Sequence, residues 1–230
     1  MSQHVAIPAT PEPFTVMAGR TALVIIDMQR DFLLPGGFGE SLGNDVGQLR
    51  KVVPPLTDLL AAARAAGVMV IHTREGHRPD LSDCPPAKLR RGVPSKRIGD
   101  EGRFGRILIR GEYGHDIIDE LRPVDDEIVI DKPGKGAFYD TELAEVLTGA
   151  GITQLLITGV TTEVCVHTTT REANDRGFEC LVVSDCVGSY FPEFHRIGLE
   201  MIAAQGGIFG WVADSAAVRA ALHTLTIDAA

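Results

Sequence analysis

The sequence lacks the features of several protein classes. Its four cysteines form no CxxC pair, which is typical of reduced thiols and not of a disulfide framework or a cysteine metal site. It has no long run of lysine and arginine, and its formal net charge of −9 argues against a nucleic-acid surface. No apolar run reaches membrane-spanning length, and no basic segment precedes an apolar one near the start. We therefore expect a cytoplasmic protein that binds neither nucleic acid nor membrane.

What is present suits one folded domain with a sizeable core. The 230 residues are 44% hydrophobic and 23% charged, which is ordinary for a globular protein. Residues 1–20 are rich in proline and alanine and show no periodic pattern, so they are predicted to form an extended arm that is either frayed or wrapped over a neighbouring surface. Residues 21–230 are predicted to form a single domain.

Within that domain, short apolar runs alternate with helical patterns. Residues 21–27 form a continuous apolar run that ends in aspartate, as expected for a strand buried on both faces. The alternation predicts an α/β fold, a three-layer α/β/α arrangement around a six-stranded, mostly parallel, doubly wound (Rossmann-like) sheet. Strands are predicted over 21–27, 68–72, 127–131, 153–158, 178–184 and near 208–209, and helices over 46–66, 115–121, 141–150, 164–176 and 192–204.

One connection is much longer than the others. Residues 73–111 contain several prolines and glycines and show no regular pattern. Irregular segments of this length inside a compact domain are usually functional, so a lid or a pocket wall is predicted here. A mobile surface excursion is the alternative.

Polar side chains follow three of the predicted strands, at the edge where a doubly wound sheet binds its ligand. Asp27 ends the first strand, Lys132 follows the third, and Cys165 lies after the fourth at the start of a helix. A helix N-terminus and a nearby ammonium lower the pKa of a thiol, and an aspartate can take its proton and pass it to a leaving amine. Taken singly, Asp27 also suits a turn, Lys132 a solvated side chain and Cys165 a core position. Together they predict a cysteine nucleophile with an acid–base partner.

These residues carry a resemblance to a known family. Asp27 with the two residues after it, Lys132 and the segment 159–165 resemble, in order and spacing, the isochorismatase-like cysteine hydrolase superfamily. The similarity covers nearly the whole chain. The resemblance implies that Asp27 is the general base and acid, that Lys132 gives electrostatic support, and that Cys165 is the nucleophile that becomes acylated.

The same resemblance extends to the backbone beside the nucleophile. It implies a cis peptide between Val160 and Thr161, which would direct the N–H groups of Thr161 and Cys165 at an oxyanion. Members that hydrolyse a vinyl ether lack this cysteine, so the resemblance favours amide hydrolysis. Two alternatives of other classes are a non-amide hydrolase on the same fold and a binding module with a vestigial site.

A closer likeness is to biuret hydrolases and their triuret and ureidoacrylate relatives. It implies hydrolysis of a small ureido compound through a thioester, with release of ammonia or carbamate; a ureidoacrylate or N-carbamoyl amidohydrolase is the alternative. It also implies that Gln205 hydrogen-bonds the carbamoyl group, since an amide side chain both donates and accepts. A helix C-cap or turn is the other interpretation of Gln205. The segments that carry this likeness are 72–81, 97–100, 130–136, 171–177 and 205–210.

The stretch 188–195 departs from the biuret hydrolases. Tyr190 is predicted to lie at the mouth of the pocket, where it would suit a longer ureido substrate such as triuret or ureidoacrylate; a packing residue or a subunit contact is the alternative. Phe32, Arg74 and Glu75 are further candidates for substrate binding. Arg74 would pair either with a substrate carboxylate or with Glu75.

No metal or other cofactor is expected. Nicotinamidases bind a divalent metal through an Asp-x-His motif soon after the second strand, and residues 73–77 do not contain it. His72 and His77 are five positions apart in an irregular segment, which is not a typical ligand spacing. The expected partners are a small-molecule substrate and, from the resemblance, further copies of this chain in a homodimer or homotetramer.

Overall fold

The computed structural model describes residues 4–227, and its centre is a six-stranded sheet. The strands are β1 (His4–Ile7), β2 (Phe14–Met17), β3 (Thr21–Ile26), β4 (Met69–Glu75), β5 (Glu101–Gly102), β6 (Gly105–Arg106), β7 (Ile128–Lys132), β8 (Gln154–Val160), β9 (Glu179–Gly188) and β10 (Trp211–Ala213). The central sheet has the order β10–β9–β8–β3–β4–β7, and every neighbouring pair in it is parallel.

Helices connect these strands and cover both faces of the sheet. They are α1 (Arg30–Leu33), α2 (Phe38–Ser41), α3 (Val46–Arg50), α4 (Val53–Ala65), α5 (Pro86–Leu89), α6 (Leu143–Gly149), α7 (His167–Asp175), α8 (Pro192–Gly207) and α9 (Ser215–Ile227). A 3₁₀ turn covers Asp119–Leu121, and a π turn covers Thr162–Val166. Within residues 4–227, no helix is both long and apolar enough to cross a bilayer.

The side chains of β3 show how the sheet joins two cores. Leu23 and Ile25 pack with α4 and α9 on one face, while Val24 and Ile26 pack with α6 and α7 on the other. Successive side chains of a strand point to opposite faces, so an entirely apolar strand must be covered on both sides. The predicted three-layer, doubly wound fold is confirmed.

The described part of the predicted N-terminal arm, residues 4–20, packs against the domain, which is the second of its two predicted forms, but it contains a hairpin; residues 1–3 lie outside the described residues. β1 and β2 form an antiparallel hairpin, and Ile7, Phe14 and Val16 are buried in the core beside α4 and α9. The ring of Phe14 lies 5.3 Å from that of Trp211, measured between centroids. Each strand has only four residues, which is too short for an alternation of apolar and polar residues to be identified in the sequence. The buried side chains hold the hairpin against the domain.

Three predicted elements are wrong in detail. The helix expected over 115–121 is only the 3₁₀ turn, because this stretch pairs with 28–31: Ile118 N–H donates to the Met28 carbonyl, and Arg30 N–H to that of Asp116. Backbone groups used in that way are not free for a helix. The helix expected over 46–66 is two helices, with prolines in the first turn of α4, where their missing N–H groups cost least. The last strand lies three residues after its expected position.

Gly159 in β8 shows how closely β3 and β8 approach beside the site. Its φ is +102°, and a Cβ there would lie 2.0 Å from the Ile26 carbonyl oxygen. We expect Gly159→Ala to lower the free energy of unfolding by about 3 kcal/mol, from backbone strain plus overpacking. Gly177→Ala is the matched control: its φ is +84° with no heavy atom within 4 Å, so only the strain, about 1 kcal/mol, applies. Urea unfolding measures both, and equal losses would contradict the clash.

Candidate active site

The carboxyl edge of the sheet brings the three predicted catalytic residues together. Asp27 follows β3, Lys132 ends β7, and Cys165 lies in the π turn after β8. Lys132 Nζ is 2.8 Å from Asp27 Oδ2. Oxygen atoms of Asp27 and Glu75 and the Sγ of Cys165 all lie within 4.8 Å of one another. The order of the strands, and not proximity in sequence, creates this cluster.

Asp27 and Lys132 form a fully buried ion pair. The hydroxyl of Thr73 donates to Asp27 Oδ1 at 2.7 Å, and Lys132 Nζ donates to the carbonyls of Gly134 and Lys135 at 2.9 Å each. Burial acts to lower the pKa of Lys132, but the Asp27 carboxylate, with smaller contributions from Cys165 and Glu75, outweighs it and raises that pKa above its usual range. Lys132 is therefore a permanent cation.

The Cys165 thiol is buried and donates to Glu75 Oε2 at 3.6 Å. Burial raises its pKa well above the usual range; Lys132 and Lys135 act to lower the pKa, while Asp27 and Glu75 raise it. The lowered pKa expected from the sequence is therefore wrong, because burial of the thiol raises its pKa most and two buried carboxylates oppose the ammonium groups. The resting group is a thiol, so the reaction needs a base when substrate is present.

Glu75 is more deeply placed than a residue of a pocket wall. Only 1% of it is exposed, and Lys135 Nζ and Lys88 Nζ lie 2.6 and 3.4 Å from its Oε1. Burial acts to raise its pKa, but Lys132, Lys135 and Lys88 together hold the pKa at about 2. Gln29 fixes the backbone of Glu75, accepting from its N–H at 2.7 Å and donating to its carbonyl at 3.0 Å. Glu75 is thus a fixed anion beside the nucleophile.

A cavity of about 240 Å³ opens onto Cys165. The Tyr190 hydroxyl donates to the carbonyl of Phe32 at 2.8 Å, which joins two sides of the cavity. The peptide between Val160 and Thr161 is cis, as expected. The cavity is lined by Phe32, Glu75, Lys135, Val160, Thr161, Glu163, Val164, Cys165, Tyr190 and Phe191, so five of the predicted binding and oxyanion positions are in its wall.

Arg74 was predicted to bind substrate, but the structure places it outside the cavity. Its guanidinium donates to both carboxylate oxygens of Asp131, at 2.8 and 3.1 Å, and to Asp116 at 3.2 Å. Thr73 and Glu75 contact the catalytic cluster, and side chains alternate along a strand, so Arg74 projects to the other side of β4. It binds neither Glu75 nor the cavity.

Gln205 is a second correction. It lies near the end of α8 in the left-handed conformation, with φ +53° and ψ +38°, and its side chain is exposed. The cavity wall does not include it. The other interpretation given above, a residue of a helix end, is the one that fits its position in this chain.

Three functional candidates were missed in the sequence. Lys135 and Glu163 line the cavity, and Gln29 holds Glu75 in place. Each lies inside a segment that carried the resemblance, within three residues of a catalytic position. Their closeness in sequence to Asp27, Lys132 or Cys165 is the signal that could have identified them. The sequence does not show, however, in which direction each of these side chains points.

The same cluster is where a metal ion would find ligands. Within residues 4–227, Asp27, Glu75 and Cys165 are the group of three or more His, Cys, Asp or Glu side chains close enough to share an ion. The ammonium groups of Lys132 and Lys135 already balance the negative charges of Asp27 and Glu75, respectively. His72 and His77 pair instead with Glu127 and Asp83, at 3.0 and 3.2 Å. The absence of a metal or cofactor from the reaction stays a prediction.

The charges around Cys165 predict how its reactivity depends on pH. Glu75→Gln removes a nearby negative charge, so the pKa of Cys165 should fall and its alkylation midpoint should move down by about one pH unit or more. Lys135→Gln removes a positive charge and should move the midpoint up. Iodoacetamide labelling across pH, read by peptide mass, measures both shifts. Movement of the two midpoints in the same direction would contradict this charge arrangement.

Comparisons with known proteins agree with this geometry. Residues 21–217 match the Isochorismatase domain. The chain is 33% identical over 224 residues to a ureidoacrylate amidohydrolase RutB from Methylobacterium radiotolerans, covering 95% of this chain and 85% of that protein. The crystal structure of a cysteine hydrolase from Pseudomonas syringae pv. phaseolicola is similar with a TM-score of 0.79 and 28% identity, over 98% of this chain and 100% of that chain.

A second solved structure supports the same assignment. An isochorismatase family protein from Desulfovibrio vulgaris is similar with a TM-score of 0.75 and 30% identity, covering 89% of this chain and 98% of that one. The domain match spans most of the chain and includes Asp27, Lys132 and Cys165. The chain therefore belongs to the isochorismatase family of hydrolases, as the sequence predicted.

Proposed function

We propose that this amidohydrolase cleaves a C–N bond of a small ureido compound, of the biuret or triuret type, through a thioester on Cys165. The main support for the proposal is that a buried thiol, a carboxylate and an ammonium group lie close together beside a small cavity. That set supplies a nucleophile, a proton carrier and a fixed positive charge. The segments that resemble biuret and triuret hydrolases support the ureido class.

In the proposed first half-reaction, Asp27 takes the thiol proton while Cys165 Sγ attacks the carbamoyl carbon. The N–H groups of Thr161 and Cys165 stabilise the oxyanion of the tetrahedral intermediate. The C–N bond then breaks, and Asp27 gives its proton to the leaving nitrogen. Ammonia or an amine departs, and the carbamoyl or acyl group stays on sulfur.

In the second half-reaction, water attacks the thioester carbon and Asp27 takes a proton from that water. The C–S bond breaks, the proton returns to sulfur, and a carbamate or carboxylate leaves. Lys132 holds the Asp27 carboxyl group in place through both halves, since its ammonium contacts Oδ2 at 2.8 Å. A free carbamate decays to ammonia and carbon dioxide without further catalysis.

Ureidoacrylate is the second candidate substrate. The relative from Methylobacterium radiotolerans bears that activity in its name and is 33% identical. Biuret, triuret and ureidoacrylate share the carbamoyl carbon that Cys165 attacks in the proposed mechanism, so the chemistry of the site fits all three. They differ in charge, because only ureidoacrylate carries a carboxylate.

An ammonia-release screen tests the proposal. Biuret, triuret, ureidoacrylate, nicotinamide and N-carbamoyl amino acids are compared at equal concentration, with Cys165→Ala as the blank. We expect a ureido compound to be the best substrate and the blank to release nothing. Preference for nicotinamide, or no release from any ureido compound, would count against the proposal.

Two further expectations also stay proposals. Self-association as a homodimer or homotetramer is supported by the exposed apolar side chains of Phe191, Phe194, Ile197 and Met201 along α8. Sedimentation equilibrium measures it directly.

A cytoplasmic location is supported by four cysteines that are all free and buried.

A further inference from the structure

The cavity over Cys165 contains more negative than positive charge. Among residues 4–227, the charged side chains in its wall are Glu75, Glu163 and Lys135. The rest of the wall is largely apolar and includes Phe32, Val164, Tyr190 and Phe191. In surroundings of low polarity, the balance of fixed charges decides which substrate charges are tolerated.

The cations beside the nucleophile are already paired. Lys135 Nζ lies 2.6 Å from Glu75, and Lys88 Nζ lies 3.4 Å from the same oxygen. Lys132 is buried against Asp27 at 2.8 Å. A substrate carboxylate would have to take one of these ammonium groups from an existing carboxylate, so it gains little from them.

A neighbouring arginine is also engaged. Arg171 borders an adjoining groove that shares Glu163 with the cavity. Its Nε donates to His167 Nδ1 at 2.9 Å, and its guanidinium carbon lies 3.9 Å from the centre of the Phe209 ring. It is not part of the cavity wall. Arg171 therefore does not supply the missing positive charge.

Glu163 has an oxygen that lacks a partner. The residue lies in the π turn, two positions before Cys165, and its Oε2 is buried with no hydrogen-bond donor among residues 4–227. A buried acceptor without a donor costs free energy, and a donor brought by a ligand removes that cost. Ureido nitrogens are such donors, and their hydrogen bonds to a carboxylate are charge-assisted. A carboxylate has no proton to offer and would be repelled.

We propose that Glu163 is a specificity-determining residue, which makes this cavity select uncharged ureido compounds over ureido carboxylates. The inference rests on the proposed function and deepens it. It places biuret-like and triuret-like compounds ahead of ureidoacrylate, although a named relative acts on the latter. Glu75, held by lysines, contributes a fixed negative charge, while Glu163 adds a second carboxylate to the cavity wall, one of whose oxygens has no donor among residues 4–227.

A matched pair of substrates tests this selectivity. N-carbamoylglycine and N-carbamoylglycinamide differ only in a carboxylate and its amide, and release of glycine or glycinamide reports cleavage of the ureido group alone. We expect the wild-type kcat/KM to favour the amide by about tenfold or more. Glu163→Gln should narrow that ratio, chiefly by raising kcat/KM for the carboxylate.

Glu193→Gln is the matched control, because it removes the same charge from an exposed residue at the start of α8. It should keep the wild-type ratio, and Glu163→Ala gives a second removal of the cavity charge. A wild-type enzyme that prefers the carboxylate, or a ratio in E163Q equal to that in E193Q, would overturn the assignment. No cleavage of either compound or of any ureido compound in the screen would overturn the proposed function itself.

Discussion

Cys165→Ala should lower kcat/KM for ureido hydrolysis by about 10⁴-fold or more, the largest effect on activity expected from a single substitution in this chain. Sγ is the atom proposed to form a covalent bond to substrate, so alanine leaves only binding and oxyanion contacts. Stability should change little, since only one buried sulfur atom is lost. Steady-state ammonia release measures the change.

Cys180→Ala is the matched control. Its thiol is also buried, but it lies in β9 and donates to the carbonyls of Thr170 and Phe178, away from the catalytic cluster. This variant should keep most of the wild-type activity at temperatures where it is folded. Comparable activity losses in C165A and C180A would mean that a thiol is needed for packing and not for chemistry.

Lys132→Met should cause the largest loss of stability, about 3–5 kcal/mol, together with loss of activity. It leaves the fully buried Asp27 carboxylate without its cation, and removing one partner of a buried ion pair has a cost of this size. The carbonyls of Gly134 and Lys135 also lose their donor. Urea unfolding followed by the fluorescence of Trp211, the sole tryptophan, measures the loss.

The double variant Asp27→Asn with Lys132→Met separates the ion pair from packing. Asparagine removes the unpaired charge, so the double variant should be more stable than Lys132→Met alone. Arg50→Met is the matched control, because it breaks a pair with Glu120 whose side chains are 35% and 42% exposed, and such pairs contribute about 1 kcal/mol or less. If the losses of stability in the single variants Asp27→Asn and Lys132→Met simply add in the double variant, the two side chains are not coupled, which would contradict a stabilising ion pair.

The sheet and the catalytic cluster could be predicted because they depend on strong, local signals. The run at 22–26 is entirely apolar, and every residue of β3 is indeed buried. Residues at the carboxyl ends of parallel strands must meet at one edge, whatever lies between them in sequence. That rule was enough to place Asp27, Lys132 and Cys165 together.

Side-chain direction and tertiary pairing could not be predicted in the same way. Arg74 and Glu75 are adjacent in β4, and only the register of the strand decides which of them faces the cavity. The stretch around Ile118 has a helical pattern, but its backbone pairs with Met28 instead. Gln205 lies in a left-handed turn and is exposed. For Arg74 and for the stretch around Ile118, contacts made by distant parts of the chain outweigh the local pattern.

The thiol shows the same limit for electrostatics. The sequence places Cys165 beside a lysine, which predicts a lowered pKa. The structure adds burial, which raises the pKa of the thiol most, and Glu75, which contacts the sulfur at 3.6 Å and opposes the lysines. A local motif reveals which charges are near in sequence, whereas the sign of a pKa shift depends on burial and on all the charges near in space.

Trapping the thioester intermediate tests most directly whether Cys165 is the nucleophile. The enzyme is mixed with its best ureido substrate, quenched in acid within milliseconds and digested, and the peptide that contains Cys165 is weighed. The account predicts that this peptide carries the mass of one carbamoyl or acyl group, and that peptides with Cys84, Cys180 and Cys186 stay unmodified. Rapid turnover with no adduct on Cys165 at any quench time, together with an active Cys165→Ala variant, would contradict it.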